Sequence, residues 1–542
     1  MIYHTFAFHN LPAHQLLPHL IDFIEQSCLS HLPWHPCWLN NEGQQVIGLL
    51  PKISWTVYNG SDPVPPTLKE SNLDIEILKT SRQESDTINA QYNRYTLDYQ
   101  SWIEELTHYC DQSLMQQQQS GSSPPPYVSN TAYHSGLMGF IGYDIGARAL
   151  AANPKIGMAN QPCAFLGHYD VYLKPCDTQG WELHTESFTP QAVKEAIVCY
   201  LQQFDEQLLD LLQHSVSVPA LPLTALWSAE QYAQAFGQTQ QYLYQGDSYQ
   251  INLTQKWQGA LATSADCALS ADNFDQNPSL VDYLPDLHQN TKAPFAGYLA
   301  LTHDPTHDSL SKITANSDPS FHLEFELLSC SPELFVLFDK TEVDDPAQPS
   351  QSQIITKPIK GTLPRGASKE QDERLKQQLA QSEKDKAENV MIVDLLRNDL
   401  GKYAEVGSVK VPKLFAIESF SNVHHMVSTV TAIIKEEYHP LTVLFNSLPA
   451  GSITGTPKKR AVEIINELEA APRGAYCGTL GFLNFDGTGQ WNVLIRSLQA
   501  GAESQVSLWA GGGITVGSNC DSEYQECHDK VGNLLAILDP KA

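Results

Sequence analysis

Residues 357–366 read KPIKGTLPRG, and they are the most informative stretch of this chain. Lys360 stands between a proline-containing pair and Gly361, with Pro364 and Gly366 following. Because proline and glycine favour a fixed turn over a solvated helix, we expect Lys360 to lie on a stiff segment. A lysine is a nucleophile only in its neutral form, which burial and nearby cations favour. By itself the stretch is equally consistent with an ordinary turn that exposes a lysine.

The regions around this stretch contain long helical patterns interspersed with short strand patterns. Helical periodicity is present over residues 229–245, 368–400 with a break near 381–384, 457–468 and 521–538. Alternating apolar residues predict strands over 295–302 and 333–340. Strands and helices do not alternate regularly, which argues against a doubly wound parallel sheet. The pattern predicts an α+β fold, a layered sandwich with mainly antiparallel sheets.

The chain is long enough for two ordinary domains or one large one. We place a soft boundary near residues 215–225, which separates an N-terminal region (1–215) from a catalytic domain (225–540). Residues 116–127, QQQQSGSSPPPY, are predicted to be a flexible linker. Residues 303–321 and 342–353 are expected to be polar surface insertions.

Composition excludes several classes of function. The 542 residues carry a formal net charge of −28, which argues against nucleic-acid binding because a phosphate backbone needs a basic surface. No run of about 18 apolar residues occurs, so we expect no membrane span. The N-terminus lacks the features of a signal peptide. The 11 cysteines are scattered without a CxxC pair, which predicts reduced thiols and a cytoplasmic protein.

Two acidic pairs suggest a metal site. Asp385 and Glu388 are three residues apart, and Glu523 and Glu526 have the same spacing near the other end of the chain. On helices, each pair would share one face. Carboxylates without a partnering histidine or cysteine motif favour Mg²⁺ over zinc or iron. The alternative is that both pairs are ordinary exposed helix faces, which are common in a chain with 61 acidic residues.

Other elements could bind an anion. Residues 449–460, PAGSITGTPKKR, lack the spacing of a phosphate loop and instead indicate a tight loop that opens a helix, with Pro457 at an early helical position. The glycines of AGGGI (510–514) allow close approach to the backbone. Arg496 stands among apolar residues, where it needs a partner. His425 follows His424 in a strand-like stretch, so one of the two should face inward, most simply as a core histidine.

Several of these stretches belong to one series. They occur in the order KPIKGTLPRG, AENVMIVDLLRNDLGK, HHMVSTV, PAGSITGTPKKRA, AYCGTLGF, IRSLQ, AGGGI and EYQECHDK. The series resembles the chorismate-utilising enzyme family, which contains anthranilate synthase component I, the isochorismate and salicylate synthases, and aminodeoxychorismate synthase component I. Upstream stretches such as GLMGFIGYDIG (136–146) and SCSPELF (329–335) extend the resemblance over most of residues 130–535.

Lys360 separates members of this family. Anthranilate synthases and the isochorismate group usually carry alanine at this position, whereas aminodeoxychorismate synthases of the type resembled here carry lysine. The resemblance therefore implies that Lys360 attacks ring carbon 2 of chorismate and expels the hydroxyl group at carbon 4. Ammonia then attacks carbon 4 and releases the lysine, which gives 4-amino-4-deoxychorismate for 4-aminobenzoate and folate synthesis.

The resemblance also assigns roles to the other site residues. Glu333 matches the proposed acid, which would need a raised pKa, and His425 matches the active-site histidine. Glu388 and Glu526 are implied as direct Mg²⁺ ligands, and Asp385 and Glu523 as ligands through water. The implied clamp on the enolpyruvyl carboxylate consists of Tyr476, Arg496, Lys530 and the amides of Gly511, Gly512 and Gly513. Thr362 and Ser452 are implied as hydroxyl contacts.

The resemblance has further implications outside the reaction itself. Ammonia would come from a glutamine amidotransferase subunit, because this chain has no Cys-His-Glu amidotransferase segment of its own. Some members bind tryptophan in the N-terminal region, and Pro294, Phe295 and Ala296 match one side of that pocket. The serine-containing element on the other side is replaced around residues 51–54, PKIS, so tryptophan binding stays open.

Two other functions compete with this prediction. The first is anthranilate synthase component I, against which Lys360 argues. The second is a catalytically silent regulatory or tryptophan-binding subunit, against which the intact acidic pairs, Lys360 and Glu333 argue.

Overall fold

The computed structural model describes most of the chain. Its described residues are 2–26, 32–59, 74–84, 88–119, 132–153, 155–176, 179–213, 218–262, 278–302, 323–341, 350–420, 423–501 and 504–540. The helices are α1 (Ala13–Gln26), α2 (Tyr99–Gln119), α3 (Tyr143–Ala151), α4 (Gln191–Gln213), α5 (Ala229–Gln245), α6 (Leu284–Thr291), α7 (Lys369–Gln381), α8 (Glu383–Gly401), α9 (Pro440–Ser447), α10 (Lys458–Leu468) and α11 (Cys520–Leu538).

The strands are short and numerous. They are β1 (Ile2–Phe6), β2 (Cys37–Asn41), β3 (Gln44–Gly48), β4 (Ile53–Asn59), β5 (Asp74–Glu84), β6 (Ile88–Asp98), β7 (Gly136–Ile141), β8 (Ala164–His168), β9 (Val171–Pro175), β10 (Trp181–Thr185), β11 (Thr224–Ala225), β12 (Gln250–Ala260), β13 (Phe295–Thr302), β14 (Leu323–Ser331), β15 (Leu334–Lys340), β16 (Ser352–Thr356), β17 (Ile359–Pro364), β18 (Lys410–Ser419), β19 (Val423–Ile433), β20 (Gly455–Thr456), β21 (Thr479–Asn484), β22 (Gly489–Asn492), β23 (Ser497–Ala500) and β24 (Gln505–Ile514).

These strands form two large sheets. The first sheet has the order β1-β10-β9-β3-β2-β13-β14-β23-β24-β12-β11, with β20 beside β12. The second has the order β17-β19-β16-β15-β22-β21-β7-β8-β4-β5-β6, with β18 beside β19. Each strand pair between described residues is antiparallel. The expected α+β fold with mainly antiparallel sheets is therefore confirmed.

The two sheets pack face to face through an aromatic core. Phe140 of the second sheet stacks on Phe325 of the first, with ring centroids 5.2 Å apart. Around them lie buried residues of both sheets, including Leu299 and Leu480. Burial of this apolar surface is the main favourable term that holds the sheets together.

The helix boundaries follow from capping residues. Ser228 forms a capping box with Gln231 at the start of α5, and Gly246 ends the helix in the left-handed region, so the predicted helix 229–245 is confirmed. Ser382 explains the predicted break: it ends α7, and its hydroxyl group caps α8 by accepting from the amide of Asp385. Pro457 is the N-cap residue immediately before α10, whereas it was expected at an early position within the helix.

Two neighbouring segments carry the chain from one sheet to the other. The chain passes from β14 of the first sheet to β15 of the second through residues 332–333, and from β22 of the second back to β23 of the first through residues 493–496. Backbone hydrogen bonds hold the two crossings together. The amide of Val493 donates to the carbonyl of Glu333 (3.0 Å), and the amide of Cys330, at the end of β14, donates to the carbonyl of Arg496 (3.0 Å). Glu333 and Arg496 are therefore held side by side.

Some sequence predictions meet the structure only partly. The predicted linker over 116–127 starts too early, because residues 116–119 still belong to α2, and 120–127 lie outside the described residues. The insertion at 303–321 and residues 342–349 of the other also lie outside them. The domain boundary near 215–225 stays a prediction, and both sheets take strands from either side of it. No helix of the described residues is long and apolar enough to cross a membrane.

Candidate active site

Lys360 lies on β17, at the edge of the second sheet beside β19. The pairing is irregular between Ile359 and Thr362, which places a bulge at the lysine. Gly361 follows with φ +80°, and an added Cβ there would lie 2.8 Å from Cγ of Asp385. The segment is anchored on its other side by the amide of Ser428, which donates to the carbonyl of Pro358 (3.2 Å). The expected stiff segment is thus a bulged strand edge and not a free turn.

Glu333 occupies a buried position in the crossing from β14 to β15, with 8% of its surface exposed. Burial raises its pKa to about 7, although the charges of Lys360, Lys530 and Arg496 act in the opposite direction. The Ser452 hydroxyl also donates to Glu333 Oε1 (3.4 Å). Three predicted site residues, Lys360, Lys530 and Arg496, therefore act electrostatically on the carboxyl group of Glu333.

Arg496 stands in the neighbouring crossing, with φ 51° in the left-handed region. Burial lowers the pKa of its guanidinium, and the nearby Glu333 opposes this shift. Within the part of the chain that the structure describes, the guanidinium makes no ion pair. A largely buried arginine without an acidic partner is suited to bind an anionic ligand.

The first acidic pair lies on α8, which packs against β17 and β19. Nζ of Lys360 is 3.6 Å from Oε2 of Glu388, whose side chain is 21% exposed. Lys384 approaches the other oxygen of Glu388 at 3.9 Å. Asp385 lies one helical turn earlier, against Gly361. Both carboxylates therefore lie next to the segment that carries the predicted nucleophile, as expected for two residues on the same face of one helix.

The second acidic pair lies on α11, which packs against β24. Nζ of Lys530 bridges Oε1 of Glu526 (2.6 Å) and the carbonyl of Gly511 (2.7 Å). Although burial opposes it, the charge and hydrogen bond of Lys530 lower the pKa of Glu526, and Lys360 and Lys384 add to this effect. Burial and the like charge of Glu526 raise the pKa of Glu523. Lys360, which lies 3.6 Å from Glu388, thus also acts electrostatically on Glu526, so the two acidic helices share this cation.

The glycine run allows this close packing. A Cβ at Gly512 would lie 2.8 Å from Oε2 of Glu523 and 3.4 Å from Oε1 of Glu526. A Cβ at Gly513 would collide with the side chain of Gln250. A larger residue at Gly512 would displace the carboxylates and one at Gly513 would displace Gln250, so the run is more than a bend.

The acidic side chains match the ligands that Mg²⁺ usually takes in proteins. Among the described residues, no three His, Cys, Asp or Glu side chains come close enough to form a site made of protein alone. Mg²⁺ usually takes one or two carboxylates and completes its shell with water and substrate. Glu388 and Glu526 offer two carboxylates from separate helices that share Lys360 and Lys384 as neighbouring cations, and each has a second carboxylate three residues earlier, Asp385 and Glu523. The donor set therefore fits this ion.

Thr362 and His425 are register partners on β17 and β19. The threonine Oγ1 lies 2.8 Å from Nδ1 of His425. Burial, together with the charge of Arg496 and of His424, lowers the pKa of His425 to about 4, so the ring is neutral at pH 7. When the hydroxyl group donates to Nδ1, the ring proton stands on Nε2.

The expectation that only one of the two histidines faces inward is wrong. His424 is 1% exposed and His425 4%, because α7 covers the opposite face of β19. His424 contacts Asp372 of α7 (2.9 Å), which also binds Arg365. This network fastens the end of the KPIKGTLPRG stretch.

Tyr476 and the predicted tryptophan pocket lie deeper in the fold. Tyr476 is 4% exposed, stacks on Trp509 and lies over the guanidinium of Arg473. Phe295 and Ala296 are buried at the start of β13 in the first sheet, and the carbonyl of Pro294 accepts from the amide of Glu42 (2.7 Å). Tryptophan binding stays a prediction.

Sequence reasoning missed Lys384. Its charge acts on Glu523 and Glu526 as well as on Glu388, although 71% of its side chain is exposed. The four-residue spacing between Lys384 and Glu388 on one helix was the signal that could have identified it.

The chain resembles known proteins over most of its length. The family model described as chorismate binding enzyme matches residues 76–536. Aminodeoxychorismate synthase component 1 of Escherichia coli (strain K12) is 37% identical over 415 residues, which cover 75% of this chain and 78% of that protein. Anthranilate synthase component 1 of Bacillus subtilis (strain 168) is 41% identical over 216 residues, 40% of each chain.

A solved structure shares the fold. Anthranilate synthase component I from Streptococcus pneumoniae TIGR4 aligns with a TM-score of 0.59 and 20% identity, over 88% of this chain and 95% of that one. At this identity the likeness concerns the fold alone.

Proposed function

Because the chain belongs to the chorismate-binding enzyme family, we propose that it converts chorismate and ammonia to 4-amino-4-deoxychorismate. The observation that best supports this proposal is the position of Lys360. Its ammonium group lies 3.6 Å from Glu388 and acts electrostatically on Glu333 and Glu526. A related aminodeoxychorismate synthase component 1 matches three quarters of the chain. The pathway that this activity would serve is 4-aminobenzoate and folate synthesis.

The reaction is a double displacement on the ring. The neutral amine of Lys360 forms a bond to carbon 2, the ring double bonds shift, and the bond between carbon 4 and its hydroxyl oxygen breaks. Ammonia then forms a bond to carbon 4, the double bonds shift back, and the bond from carbon 2 to Lys360 breaks. The sum is chorismate plus ammonia to aminodeoxychorismate plus water, with the lysine restored. Such a covalent route divides one difficult substitution into two easier steps.

Glu333 is the proposed proton donor for the departing hydroxyl group. A pKa of about 7 keeps a large fraction of its carboxyl groups protonated at neutral pH, which an ordinary glutamic acid would not be. Ser452 orients this carboxyl group through its hydrogen bond. His425 and Thr362 are proposed to contact the ring end of the substrate.

The charged groups around the lysine are proposed to bind the two carboxylates of chorismate. Glu388 and Glu526, supported by Asp385 and Glu523, would hold Mg²⁺, whose charge would neutralise the ring carboxylate. Arg496 and the amides of residues 511–513 would bind the enolpyruvyl carboxylate, with Lys530 and Tyr476 beside them. The lack of an acidic partner for Arg496 within the described residues supports this assignment.

Ammonia is proposed to come from a glutamine amidotransferase partner. The relative's name, component 1, indicates a protein with a further component.

Anthranilate synthase is the second candidate, since a protein of that name is 41% identical over 216 residues. A product assay with chorismate, Mg²⁺ and ammonia separates the two functions. Anthranilate would form directly and fluoresce, together with pyruvate. Aminodeoxychorismate gives 4-aminobenzoate only after a lyase is added. Direct formation of anthranilate would refute the proposal.

The covalent step has its own test. The enzyme is incubated with chorismate and Mg²⁺ but without ammonia and examined by intact-protein mass spectrometry. We expect an adduct with the mass of chorismate less one water, its loss in Lys360→Ala, and its loss when EDTA removes the ion. The matched control is Lys357→Ala, on the same segment but outside the site, which should retain the adduct. An adduct that persists in Lys360→Ala would exclude this lysine as the nucleophile.

A further inference from the structure

Ser428 of β19 connects the strand that carries the proposed nucleophile with the helix that carries the first acidic pair. Its side chain is completely buried. Its amide donates to the carbonyl of Pro358 (3.2 Å), two residues before Lys360. Its hydroxyl group donates to Oδ1 of Asn389 (2.5 Å), the residue directly after Glu388. One residue of β19 is thus hydrogen bonded to a sequence neighbour of each of the two site residues.

The same hydroxyl group also holds a bulge in β18. The pairing of β18 with β19 is irregular between Lys413 and Ala416, and Phe415 has φ 57°, in the left-handed region. The amide of Phe415 donates to Oγ of Ser428 (3.1 Å). Since Oγ accepts from β18, its own proton is free to be donated to Asn389. The orientation of the hydroxyl group is therefore fixed from two sides.

Asn389 relates the rotation of α8 to this hydroxyl group. Its side chain is completely buried, and its Nδ2 has no acceptor among the described residues, so the bond from Ser428 is what orients this amide. Successive residues of an α-helix point about 100° apart. With Asn389 held against β19, the preceding Glu388 lies on an adjacent face, where its Oε2 is 3.6 Å from Nζ of Lys360. Rotation of the helix by a fraction of a turn would separate these two groups.

We propose that Ser428 is a positioning residue, which sets the distance between Lys360 and Glu388 by bonding β17 through its amide and α8 through its hydroxyl group. Alanine at this position would keep the bond to Pro358 and lose the bond to Asn389, so the hydroxyl group is the part that can be tested. The importance of this distance for catalysis rests on the proposed function, whereas the distance itself does not.

Zero-length cross-linking of the full-length protein reports this distance without substrate. A water-soluble carbodiimide activates the carboxyl group of Glu388, and the amine of Lys360 displaces the activating group to form an amide, while the carbodiimide takes up one water and leaves as a urea. Peptide mass spectrometry quantifies the amide. We expect Ser428→Ala to lower its yield about fivefold, the factor that corresponds to one hydrogen bond of ordinary strength.

A second cross-link in the same sample serves as the internal standard. Nζ of Lys530 lies 2.6 Å from Oε1 of Glu526 on α11, which Ser428 does not join to β17 or α8. This cross-link should form as in the wild type, and its presence shows that the variant is folded.

Ser408→Ala is the matched control variant. Its hydroxyl group joins the other end of β19 to the turn before β18, since it accepts from the amide of Ile433 (3.1 Å) and donates to the carbonyl of Glu405 (2.8 Å). This substitution also removes a serine hydroxyl group bonded to β19, but not one that holds α8, so the cross-link between Lys360 and Glu388 should keep its wild-type yield.

Asn389→Ala tests the other partner of the hydrogen bond. It should lower the yield of the Lys360–Glu388 cross-link as Ser428→Ala does, and the double variant should lower it no further, because both substitutions break the same bond. Additive losses in the double variant would overturn the proposal. Loss of both cross-links in both single variants would also overturn it, since the bond would then be a general requirement for folding.

Adduct formation with chorismate and Mg²⁺ links the distance to the proposed reaction. A misplacement of about 1 Å can slow a reaction about 10²-fold, so Ser428→Ala should form the adduct about 10–10²-fold more slowly and Ser408→Ala at the wild-type rate. The proposal is overturned if Ser428→Ala keeps the wild-type cross-link yield or adduct rate, or if Ser408→Ala lowers the yield equally. If the cross-link yield falls in Ser428→Ala but the wild type forms no adduct, the positioning stands and the proposed function fails.

Discussion

At the scale of single residues, Glu333 shows how the protein sets the pKa of one carboxyl group. Three cations act on it, and each favours the carboxylate form. Burial acts the other way and prevails, because the cost of a charge in an apolar site exceeds the gain from partly screened cations. The result, a pKa of about 7, suits an acid that must donate a proton at neutral pH.

We predict that Glu333→Gln lowers the rate of adduct formation by about 10²–10⁴-fold, since the glutamine cannot donate a proton to the hydroxyl group. In the wild type the carboxyl group is protonated below its pKa and loses the proton above it. The rate should therefore fall as pH rises through about 7, and this falling limb should vanish in the variant. Single-turnover kinetics without ammonia measure both effects. If the rate of the Glu333→Gln variant still falls as pH rises through about 7, the titrating group is not Glu333.

At the scale of secondary structure, the bulged edge of β17 decides where the lysine amine points. Gly361 can adopt φ +80° because it has no side chain, whereas other residues meet the following carbonyl. The same glycine lets α8 approach, which brings Glu388 to Lys360. The position of Lys360 and the approach of the first acidic pair thus both depend on the glycine at position 361.

We predict that Gly361→Ala lowers the free energy of unfolding by about 1–2 kcal/mol from the left-handed conformation alone, with a further loss from contact with Asp385. Adduct formation should slow as well, because the lysine shifts with the strand. Urea denaturation and the mass-spectrometric assay measure the two effects.

Gly237→Ala is the matched control for this substitution. Gly237 lies inside α5 with no atom near the added methyl group, so the substitution should stabilise the protein by about 0.5–1 kcal/mol and leave the reaction unchanged. Equal effects of both substitutions would contradict the argument.

At the scale of the whole molecule, a buried ion pair ties the site to the first sheet. Arg473 is 1% exposed and binds both oxygens of Glu469, at 2.8 and 2.7 Å. It also donates to the carbonyls of Asn252 on β12 (2.8 Å) and of Ile453 beside Ser452 (3.0 Å). One side chain thus joins a helix end, a strand and the turn that orients Glu333.

We predict that Glu469→Ala lowers the free energy of unfolding by about 3–5 kcal/mol, because it leaves a buried guanidinium without its counter-charge. Asp394→Ala removes a partner of Arg397 at the surface of α8 and should change stability little. Urea denaturation compares the two variants. Similar losses of stability in the two variants would show that burial does not determine how much the ion pair between Glu469 and Arg473 stabilises the protein.

Much of the fold was predictable because its signals are local. The helix 229–245, the break near Ser382 and the strand 295–302 follow from capping residues and apolar periodicity, which act between neighbours in sequence. The orientation of His424 was not predictable, because α7 covers a strand that the pattern alone left half exposed. The pairing of Lys384 with Glu388 was predictable from their four-residue spacing, but its action on Glu526 was not, since Glu526 lies on another helix.

The sequence by itself determined which chemical groups this protein has, how the acidic residues are spaced on their helices, and which family the motifs resemble. Only the tertiary structure decided that Lys360, Glu333 and Arg496 meet, since they come from a strand edge and two crossings between sheets. It also decided which groups are deprived of water. Burial is a property of the packed sheets, and no local pattern records whether a carboxyl group such as Glu333 will be deprived of solvent strongly enough to hold its proton.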